Sequence, residues 1–365
     1  MTAREAISLL QRLIATPSLS GEESATADIL AAELTAQGVI ACRHHNNVYA
    51  LSQGFDTTKP TLMLNSHQDT VKPSYAYTRN PFEPTIESGK LYGLGSNDAG
   101  ASLVALLTTF CNNYDTSTRP YNLLLALTAE EENMGERGMR SFLPHLQEEG
   151  IKVDMVLVGE PTSMQAATAE RGLVVLDCVA HGKSGHAARN EGENAIYKAM
   201  CDIERLRNFR FERTSEQLGE IKISVTQISA GTQHNIVPDE CRFVADIRTT
   251  DAYTNEEVVE ILQSALECDA TPRSTRVRAS AIPLSHPLVA AAQAIGRQTF
   301  ISPTTSDRAI MQGLPALKMG VGESSRSHTA DEFVLVSEIE EGVALYQKLL
   351  DELNNTKSRD MISTR

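Results

Sequence analysis

The spacing of hydrophobic and polar positions changes along the chain, and the changes predict its elements. Segments 3–15 and 22–37 carry apolar residues at helical spacing, and Ser18–Gly21 interrupts the pattern between them. The later run Leu123–Leu127 is continuously apolar, which is typical of a strand covered on both faces. The pattern predicts an α/β sheet with strands at 47–52, 61–66, 121–128 and 153–159 and helices near 100–112 and 136–148.

The order of predicted helices and strands changes after Gly172. The predicted elements are a strand at 173–181, a helix at 193–208, strands at 221–229 and 241–249, a helix at 255–268 and a strand at 275–280. This β-α-β-β-α-β order is that of a ferredoxin-like unit. Helix and strand alternation then resumes, with a helix at 286–298, a strand near 316–321 and a helix at 338–353. We therefore predict a discontinuous domain, 1–171 and 282–365, interrupted by an inserted domain, 172–281, and followed by a polar, frayed tail from Asn354.

Composition and charge narrow the class of protein. A chain of 365 residues exceeds the usual size of one hydrophobic core, and 41% apolar with 22% charged residues is typical of a globular protein. The net charge of −14 disfavours nucleic acid and anionic membranes as partners. The six cysteines are scattered without a C-x-x-C pair, and neither a signal peptide nor an apolar run of about 18 residues is recognised. These features predict a cytoplasmic protein.

Metal-competent side chains follow several of the predicted strands. His67 and Asp69 follow the second strand, Glu130–Glu132 the third and Glu160 the fourth, and the strand near 316–321 leads to His328. Asp98 precedes an apolar helix. Because ligands collect beyond the carboxyl ends of strands in an open α/β sheet, one sheet edge would gather imidazoles and carboxylates. That set is typical of a hydrolytic zinc centre.

Each of these residues also has an ordinary interpretation. His67 with Asp69 could be a strand end and a turn, and Asp98 could be a helix N-cap. The run Glu130–Glu132 could be a solvated loop, Glu160 a turn acid and His328 a loop histidine. The argument for a metal centre therefore depends on their joint arrangement at successive strand ends.

The ordered motifs resemble the M20 family of di-zinc aminoacylases and exopeptidases, in particular its acetylornithine deacetylase and succinyl-diaminopimelate desuccinylase branch. The resemblance covers nearly the whole chain. Its motifs are His67-x-Asp69-Thr70-Val71, Gly95-x-x-Asp98, Glu131-Glu132, Gly159-Glu160-Pro161-Thr162, Gly185-His186, Asn235-Ile236-Val237-Pro238-Asp239, Asp246-Ile247-Arg248 and His328. The chain departs from the family pattern at three places. It has Ala99-Gly100 where many members have Met-Lys-Gly, and Glu130 where the family usually has Asp. The basic run before the inserted domain is shortened to Glu170-Arg171-Gly172.

The resemblance implies a mixed-sheet zinc-hydrolase catalytic domain with an inserted ferredoxin-like (βαββαβ) dimerisation domain. Asp98 would bridge two Zn²⁺ ions, with His67 and Glu160 at one site and Glu132 and His328 at the other. The same ligands accept Co²⁺ or Mn²⁺. The resemblance also implies catalytic and substrate-binding roles: Glu131 as general base, Asp69 orienting His67, His186 from the partner subunit of a homodimer stabilising the oxyanion, and Arg171, Asn235, Arg248, Ser306 and Asp307 holding substrate.

The expected activity is removal of an acyl group from a small N-acyl amino acid. N2-acetylornithine, N-succinylornithine or N-acetylcitrulline within arginine biosynthesis is the first expectation, by analogy with the family branch. Succinyl-diaminopimelate desuccinylase and a di- or tripeptidase are the alternatives. A metal-free binding protein with the same fold is a rival from another class, and a redox protein is disfavoured because no C-x-x-C, haem or dinucleotide motif is present.

Overall fold

The computed structural model describes residues 1–189 and 191–355, and the predicted frayed tail lies outside this range from residue 356 onward. The described residues form two compact units. The first unit comprises Met1–Thr168, Ile282–Phe300 and the chain from Ser306, and the second comprises Ala169–Ala281 and Ile301–Thr305. The predicted insertion, 172–281, differs from the second unit by three residues at its start and by the added segment 301–305.

Eight α-helices occur in the described residues. Each begins and ends within four residues of the bounds that the sequence predicts. They are α1 (Ala3–Ile14), α2 (Ser24–Ala36), α3 (Ala101–Asn112), α4 (Met139–Glu148), α5 (Ala195–Asn208), α6 (Asn255–Ala265), α7 (Pro287–Ala294) and α8 (Val336–Asn355). Local signals fix several of the ends. At α1, for example, Thr2 and Glu5 form a reciprocal capping box. None of the helices in 1–189 and 191–355 is both long and apolar enough to cross a membrane.

The strands of the described residues are mostly short. They are β1 (Cys42–His44), β2 (Asn47–Leu51), β3 (Thr61–His67), β4 (Thr85–Glu87), β5 (Lys90–Tyr92), β6 (Asn122–Thr128), β7 (Met155–Val158), β8 (Ala166–Glu170), β9 (Gly172–His181), β10 (Gly185–His186), β11 (Lys222–Ala230), β12 (Ile236–Val237), β13 (Glu240–Thr249), β14 (Asp269–Pro272), β15 (Ser280–Ala281), β16 (Thr299–Ser302), β17 (Ala316–Lys318) and β18 (Phe333–Leu335).

The first unit is built on a mixed sheet in the order β1-β2-β6-β3-β7-β17-β8. Strand β3 runs parallel to both β6 and β7, whereas β2 is antiparallel to β6. All seven residues of β3 and of β6 are buried, because helices cover the sheet. Helix α3 has ten buried residues and packs on α1 and α8. The prediction of an α/β fold with a mixed sheet is confirmed.

The second unit contains an antiparallel sheet in the order β11-β13-β9-β14, with α5 following β9 and α6 following β13. This is the β-α-β-β-α-β order expected of a ferredoxin-like unit. The predicted last strand, 275–280, was wrong, because the edge strand is β14 at Asp269–Pro272. Helix α6 ends three residues earlier than predicted, where Leu266 adopts extended backbone angles, so the chain reaches the sheet sooner.

Candidate metal centre

The parallel core of the first unit brings three predicted strand ends together. Strand β3 ends at His67, β6 ends just before Glu130–Glu132, and β7 ends just before Glu160. Because β3 lies between β6 and β7 and runs parallel to both, these three ends meet at one edge of the sheet. His328 follows β17, which runs parallel to β7.

Five side chains of the first unit form two adjoining groups of possible metal ligands that share one carboxylate. In one group, His67 Nε2 lies 3.3 Å from Asp98 Oδ1 and 3.5 Å from Glu160 Oε1. In the other, His328 Nε2 lies 3.0 Å from Glu132 Oε2 and 3.6 Å from Asp98 Oδ2. The ligand atoms of each group lie within 4.8 Å of one another. Asp98 belongs to both groups, so it is placed to bridge two ions.

A third group overlaps the first two and includes Glu131. The ligand atoms of His67, Glu131 and Glu132 also lie within 4.8 Å of one another, and Glu131 Oε2 is 3.9 Å from His67 Nε2. Geometry therefore allows Glu131 either to ligate an ion or to act beside it. The two roles differ in their consequences for metal content, which makes them separable by mutation.

Burial raises the pKa values of two carboxyl groups at the centre, Glu131 and Glu160. Burial raises the pKa of Glu160 to about 8, with the charges of Asp98 and Glu132 adding to the effect. Burial, supported by Glu160, also holds the pKa of Glu131 well above its usual range. The hydrogen bond to Glu132 raises the pKa of His328 to about 9. Crowded buried carboxylates of this kind need a positive charge to remain ionised.

The side chains fit divalent cations of the zinc type. Zinc takes imidazole nitrogens and carboxylate oxygens, and a catalytic site leaves one position open. The centre offers one histidine and two carboxylates in each group, counting Asp98 in both. His328 is 54% exposed whereas His67 is 1% exposed, so the second group is open to small molecules and the first is enclosed.

Two buried carboxylates accept hydrogen bonds from the backbone of the turn that carries Glu130–Glu132. The backbone N–H groups of Glu131 and Glu132 donate to Asp69 Oδ1 and Oδ2 at 3.1 and 3.2 Å. The N–H of Glu130 donates to Glu23 Oε1 at 3.2 Å, and Glu23 is fully buried. Three successive amides therefore have fixed acceptors, which sets the direction in which the Glu131 side chain leaves the turn.

Asp69 contacts His67 as well as this turn. His67 Nδ1 lies 3.0 Å from the backbone oxygen of Asp69 and 3.5 Å from its carboxylate oxygen Oδ1. The backbone oxygen is the nearer acceptor for the ring N–H, and such a contact fixes which nitrogen faces a metal. The predicted role of the Asp69 carboxylate in orienting His67 stays a prediction.

Glu332 holds the loop that presents Asp98. Its carboxylate accepts hydrogen bonds from the backbone N–H groups of Gly95, Asn97 and Asp98 at 3.1, 2.8 and 2.9 Å. Glu332 is 2% exposed. Neither Glu332 nor Glu23 received a role from the sequence. Their targets are backbone amides far away in the chain, so no spacing or motif marks them.

Glu332→Ala is expected to lower the free energy of unfolding by about 3 kcal/mol, because three buried amides lose their acceptor. Urea unfolding of the metal-free protein measures this change, and the affinity for zinc should fall with it. Glu83→Ala is the matched control, since Glu83 is exposed and its carboxylate makes no hydrogen bond or ion pair with the described residues. That control should stay within about 0.5 kcal/mol of the wild type. Equal stability of both variants would contradict the role of Glu332.

The metal-free protein is expected to lose stability as pH rises from 5 to 9. Glu160 titrates near 4.5 when unfolded but about 8 when folded, so in this window the unfolded chain loses its proton first and becomes favoured. His328 titrates near 6.5 unfolded and about 9 folded, so its contribution is complete below pH 6.5 and is lost as pH passes through 9. Thermal unfolding in chelator measures the trend. A flat profile between pH 5 and 9 would contradict it.

The other predicted residues of the first unit, Ser306 and Asp307, are 0% and 2% exposed. Asp307 accepts a hydrogen bond from Thr128 Oγ1 at 2.9 Å, and burial raises its pKa to about 6. Both residues are therefore enclosed by protein in this structure, and neither is exposed to a substrate. Their predicted substrate contacts stay predictions.

In the second unit, β10 pairs with β12, which places His186 opposite Ile236. The N–H of Ala187 donates to the carbonyl of Asn235, so His186 and Asn235 lie in one exposed ribbon. Arg248 forms an ion pair with Asp246 at 2.8 Å, and Arg171 donates to the carbonyl oxygens of Leu218 and Glu220. Both guanidinium groups already have protein partners. The substrate roles of all four predicted residues remain untested.

Comparison with known proteins identifies the family. Residues 63–352 match the sequence profile of Peptidase family M20/M25/M40. The chain belongs to this family. It is therefore a metal-dependent hydrolase that acts on amide bonds, and the two ligand groups described above could hold its metal ions.

Named relatives within the M20 family include succinyl-diaminopimelate desuccinylases. The chain is 26% identical over 382 residues to a succinyl-diaminopimelate desuccinylase of Delftia acidovorans, covering 96% of this chain and 99% of that protein. It is 28% identical over 375 residues to a protein of the same name from a Caulobacter species, covering 95% of each.

Solved structures agree on the fold. Aminopeptidase PepT from Bacillus cereus superposes with a TM-score of 0.76 at 19% identity, covering 97% of this chain and 99% of that one. A dinuclear metal-binding peptidase of the M20 family from Bacillus subtilis superposes with a TM-score of 0.71 at 16% identity, with the same coverage.

Proposed function

We propose that this M20 hydrolase removes a dicarboxylic acyl group, succinyl in the first instance, from the nitrogen of an amino acid. The observation that carries the proposal is the pair of ligand groups sharing Asp98, with the buried carboxylate of Glu131 beside them. The names of the relatives support a desuccinylase over the expected N2-acetylornithine deacetylase of arginine biosynthesis. The acetylornithine expectation rests on the family branch alone.

His67, Asp98 and Glu160 would hold one divalent cation, and Asp98, Glu132 and His328 the other. When bound, the cations supply Lewis acidity to the amide carbonyl and lower the pKa of water from about 15.7 toward neutrality. All five ligands are needed for this arrangement, because the two groups have only Asp98 in common.

Glu131 is the proposed proton carrier of the reaction. Burial raises the pKa of Glu131, which favours proton uptake by a group that must accept a proton and then release it. The oxygen of water bonds to the acyl carbon as its proton passes to Glu131. The C–N bond then breaks, and Glu131 returns the proton to the departing amine nitrogen. The products are a free carboxylate and the amino acid.

A hydrolysis panel tests the substrate class. We expect N-succinyl-diaminopimelate and N-succinylornithine to give higher kcat/KM than N2-acetylornithine, N-acetylcitrulline or dipeptides. Preference for dipeptides would make the protein a peptidase and overturn the proposal. Zinc uptake without hydrolysis of any compound in the panel would do the same, and would favour a binding protein.

We also propose a homodimer through the second unit, in which His186 serves the partner subunit. Large apolar side chains on α5 and on the edge strand β11 are exposed: Tyr197 by 68%, Met200 by 57% and Ile228 by 56%. Burying such a patch against a second copy would be favourable. The His186 imidazole, which is exposed, would stabilise the oxyanion of the tetrahedral intermediate.

Subunit mixing tests the role of His186. His186→Ala and Glu131→Ala chains are each expected to be inactive, and their mixture should regain up to about a quarter of wild-type activity per site, since random exchange produces hybrid dimers. Mass spectrometry of the mixture checks that exchange has occurred. No recovery in verified hybrid dimers would show that His186 does not act across the interface.

A further inference from the structure

One cavity of the first unit adjoins the metal centre, and the proposed mechanism gives it no role. Its volume is about 220 Å³, which is below the range of roughly 300–1,000 Å³ typical of sites that enclose a whole ligand. One end of a small substrate would fill it. The cavity is lined by Val71, Lys72, Ser74, Tyr77, Leu94, His328 and Thr329.

The cavity shares His328 with the metal centre. A molecule whose amide carbonyl lies at the ligand group of His328 therefore has this cavity as a neighbouring space. The lining is of mixed chemistry: two apolar side chains, three hydroxyls, an imidazole and the ammonium of Lys72. None of the lining residues is acidic, although the protein as a whole carries a net charge of −14.

Lys72 is a cation without a counterion. Among residues 1–189 and 191–355, no carboxylate lies within ion-pair distance of its ammonium. Neighbouring cations differ in this respect, since Arg79 pairs with Glu87 at 2.6 Å and Arg326 pairs with Glu338 at 2.7 Å. The positive charge of Lys72 is therefore free to pair with an anionic ligand.

Tyr77 adds a second polar group that lacks a partner. Its hydroxyl is buried and has no hydrogen-bond partner in the described part of the chain. A buried hydroxyl without a partner costs free energy, and a ligand oxygen would satisfy it. An ammonium and an O–H without a partner, both in the lining of one small cavity, are suited to a carboxylate.

We propose that this cavity binds the terminal carboxylate of the substrate's acyl group, with Lys72 as the ion-pair partner and Tyr77 as a further donor. The inference rests on the proposed function, because it assigns a specificity to the same metal centre. It names dicarboxylic monoamides, such as N-succinyl compounds, as the preferred class. An N-acetyl compound has only a methyl group at this position and would leave Lys72 unpaired.

Steady-state kinetics of Lys72→Met on matched substrates provides the test. With N-succinylornithine, kcat/KM should fall roughly 10- to 100-fold, the usual size of a lost charge-assisted hydrogen bond. With N2-acetylornithine it should change less than about threefold. Lys72→Arg should retain more of the succinyl activity than Lys72→Met. Lys59→Met is the matched control, because Lys59 belongs to the same unit but does not line the cavity.

Two outcomes overturn the assignment. An equal loss on both substrates would mean that Lys72 binds the α-carboxylate, which both compounds carry, and no loss on either would mean that it binds neither carboxylate. Calorimetry with succinate and the zinc-loaded protein separates this inference from the proposed function. If the wild type hydrolyses no N-acyl amino acid, the proposed function fails. Weaker succinate binding by Lys72→Met would still support the cavity, and equal binding would overturn it.

Discussion

Glu131→Gln is expected to lower kcat by roughly 10²- to 10⁴-fold while two metal ions remain bound, because the amide cannot accept a proton. The substitution keeps the size of the side chain, so the turn held by Asp69 and Glu23 should be preserved. Activity on the best substrate of the panel and metal content by elemental analysis are the two measurements. Together they separate loss of the base from loss of the metal.

Glu130→Gln is the matched control for this experiment. Glu130 is the adjacent acid, but its side chain accepts from the N–H of Arg137 and belongs to none of the ligand groups. It should keep kcat within a few-fold of the wild type. If Glu131→Gln lost an ion, Glu131 would be a ligand, as the overlapping group with His67 and Glu132 allows. If it kept normal activity, the assigned base would be wrong.

Asp98→Ala is expected to abolish binding of both ions and to reduce activity at least about 10³-fold. Asp98 is the one residue common to the two ligand groups, so its removal leaves each group with two ligands. The loss of Lewis acidity alone accounts for several kcal/mol of transition-state stabilisation. Equilibrium dialysis with zinc should show a stoichiometry near two for the wild type and well below one for Asp98→Ala.

His328→Ala is the comparison that separates a bridging role of Asp98 from a general loss of the metal centre. It removes one ligand of a single group, so the group of His67 and Glu160 should still bind one ion. Zinc at about 100 times its Kd should stabilise the wild type by about 2.7 kcal/mol per site, and Asp98→Ala should lose this effect. Retention of two ions by Asp98→Ala would show that the two groups are independent and would refute the bridge.

Much of the centre could be predicted from the sequence, because parallel strands place their carboxyl ends at one edge. His67, Glu132 and Glu160 each follow an apolar run, and the order of these runs in the sheet brings them together. Asp98 and His328 were also candidates from the sequence, although each lies in a loop whose path no periodicity predicts. The assignment of all five candidates to two particular metal sites came from the family resemblance. The ferredoxin-like order was also predictable from the alternation of helices and strands.

Other features could not be predicted, because they depend on contacts between distant backbone groups. Glu332 accepts from amides more than 230 residues earlier in the chain. Three-residue strands such as β4, β5 and β18 carry too few side chains to show a period. Lys72 belongs to none of the sequence motifs, and only the cavity that it lines and the absence of an ion pair in the described range distinguish it.

The acceptor that Glu23 offers to the turn of Glu131, the proposed base, lies outside the segment that matches the family profile. The family profile starts at residue 63, forty residues after Glu23. A protein trimmed to the matched segment would keep all five ligands and Glu131, yet the amide of Glu130 would lose its acceptor. The residue that caps the second helix would thus buttress the proposed base from a part of the chain that the family profile does not include.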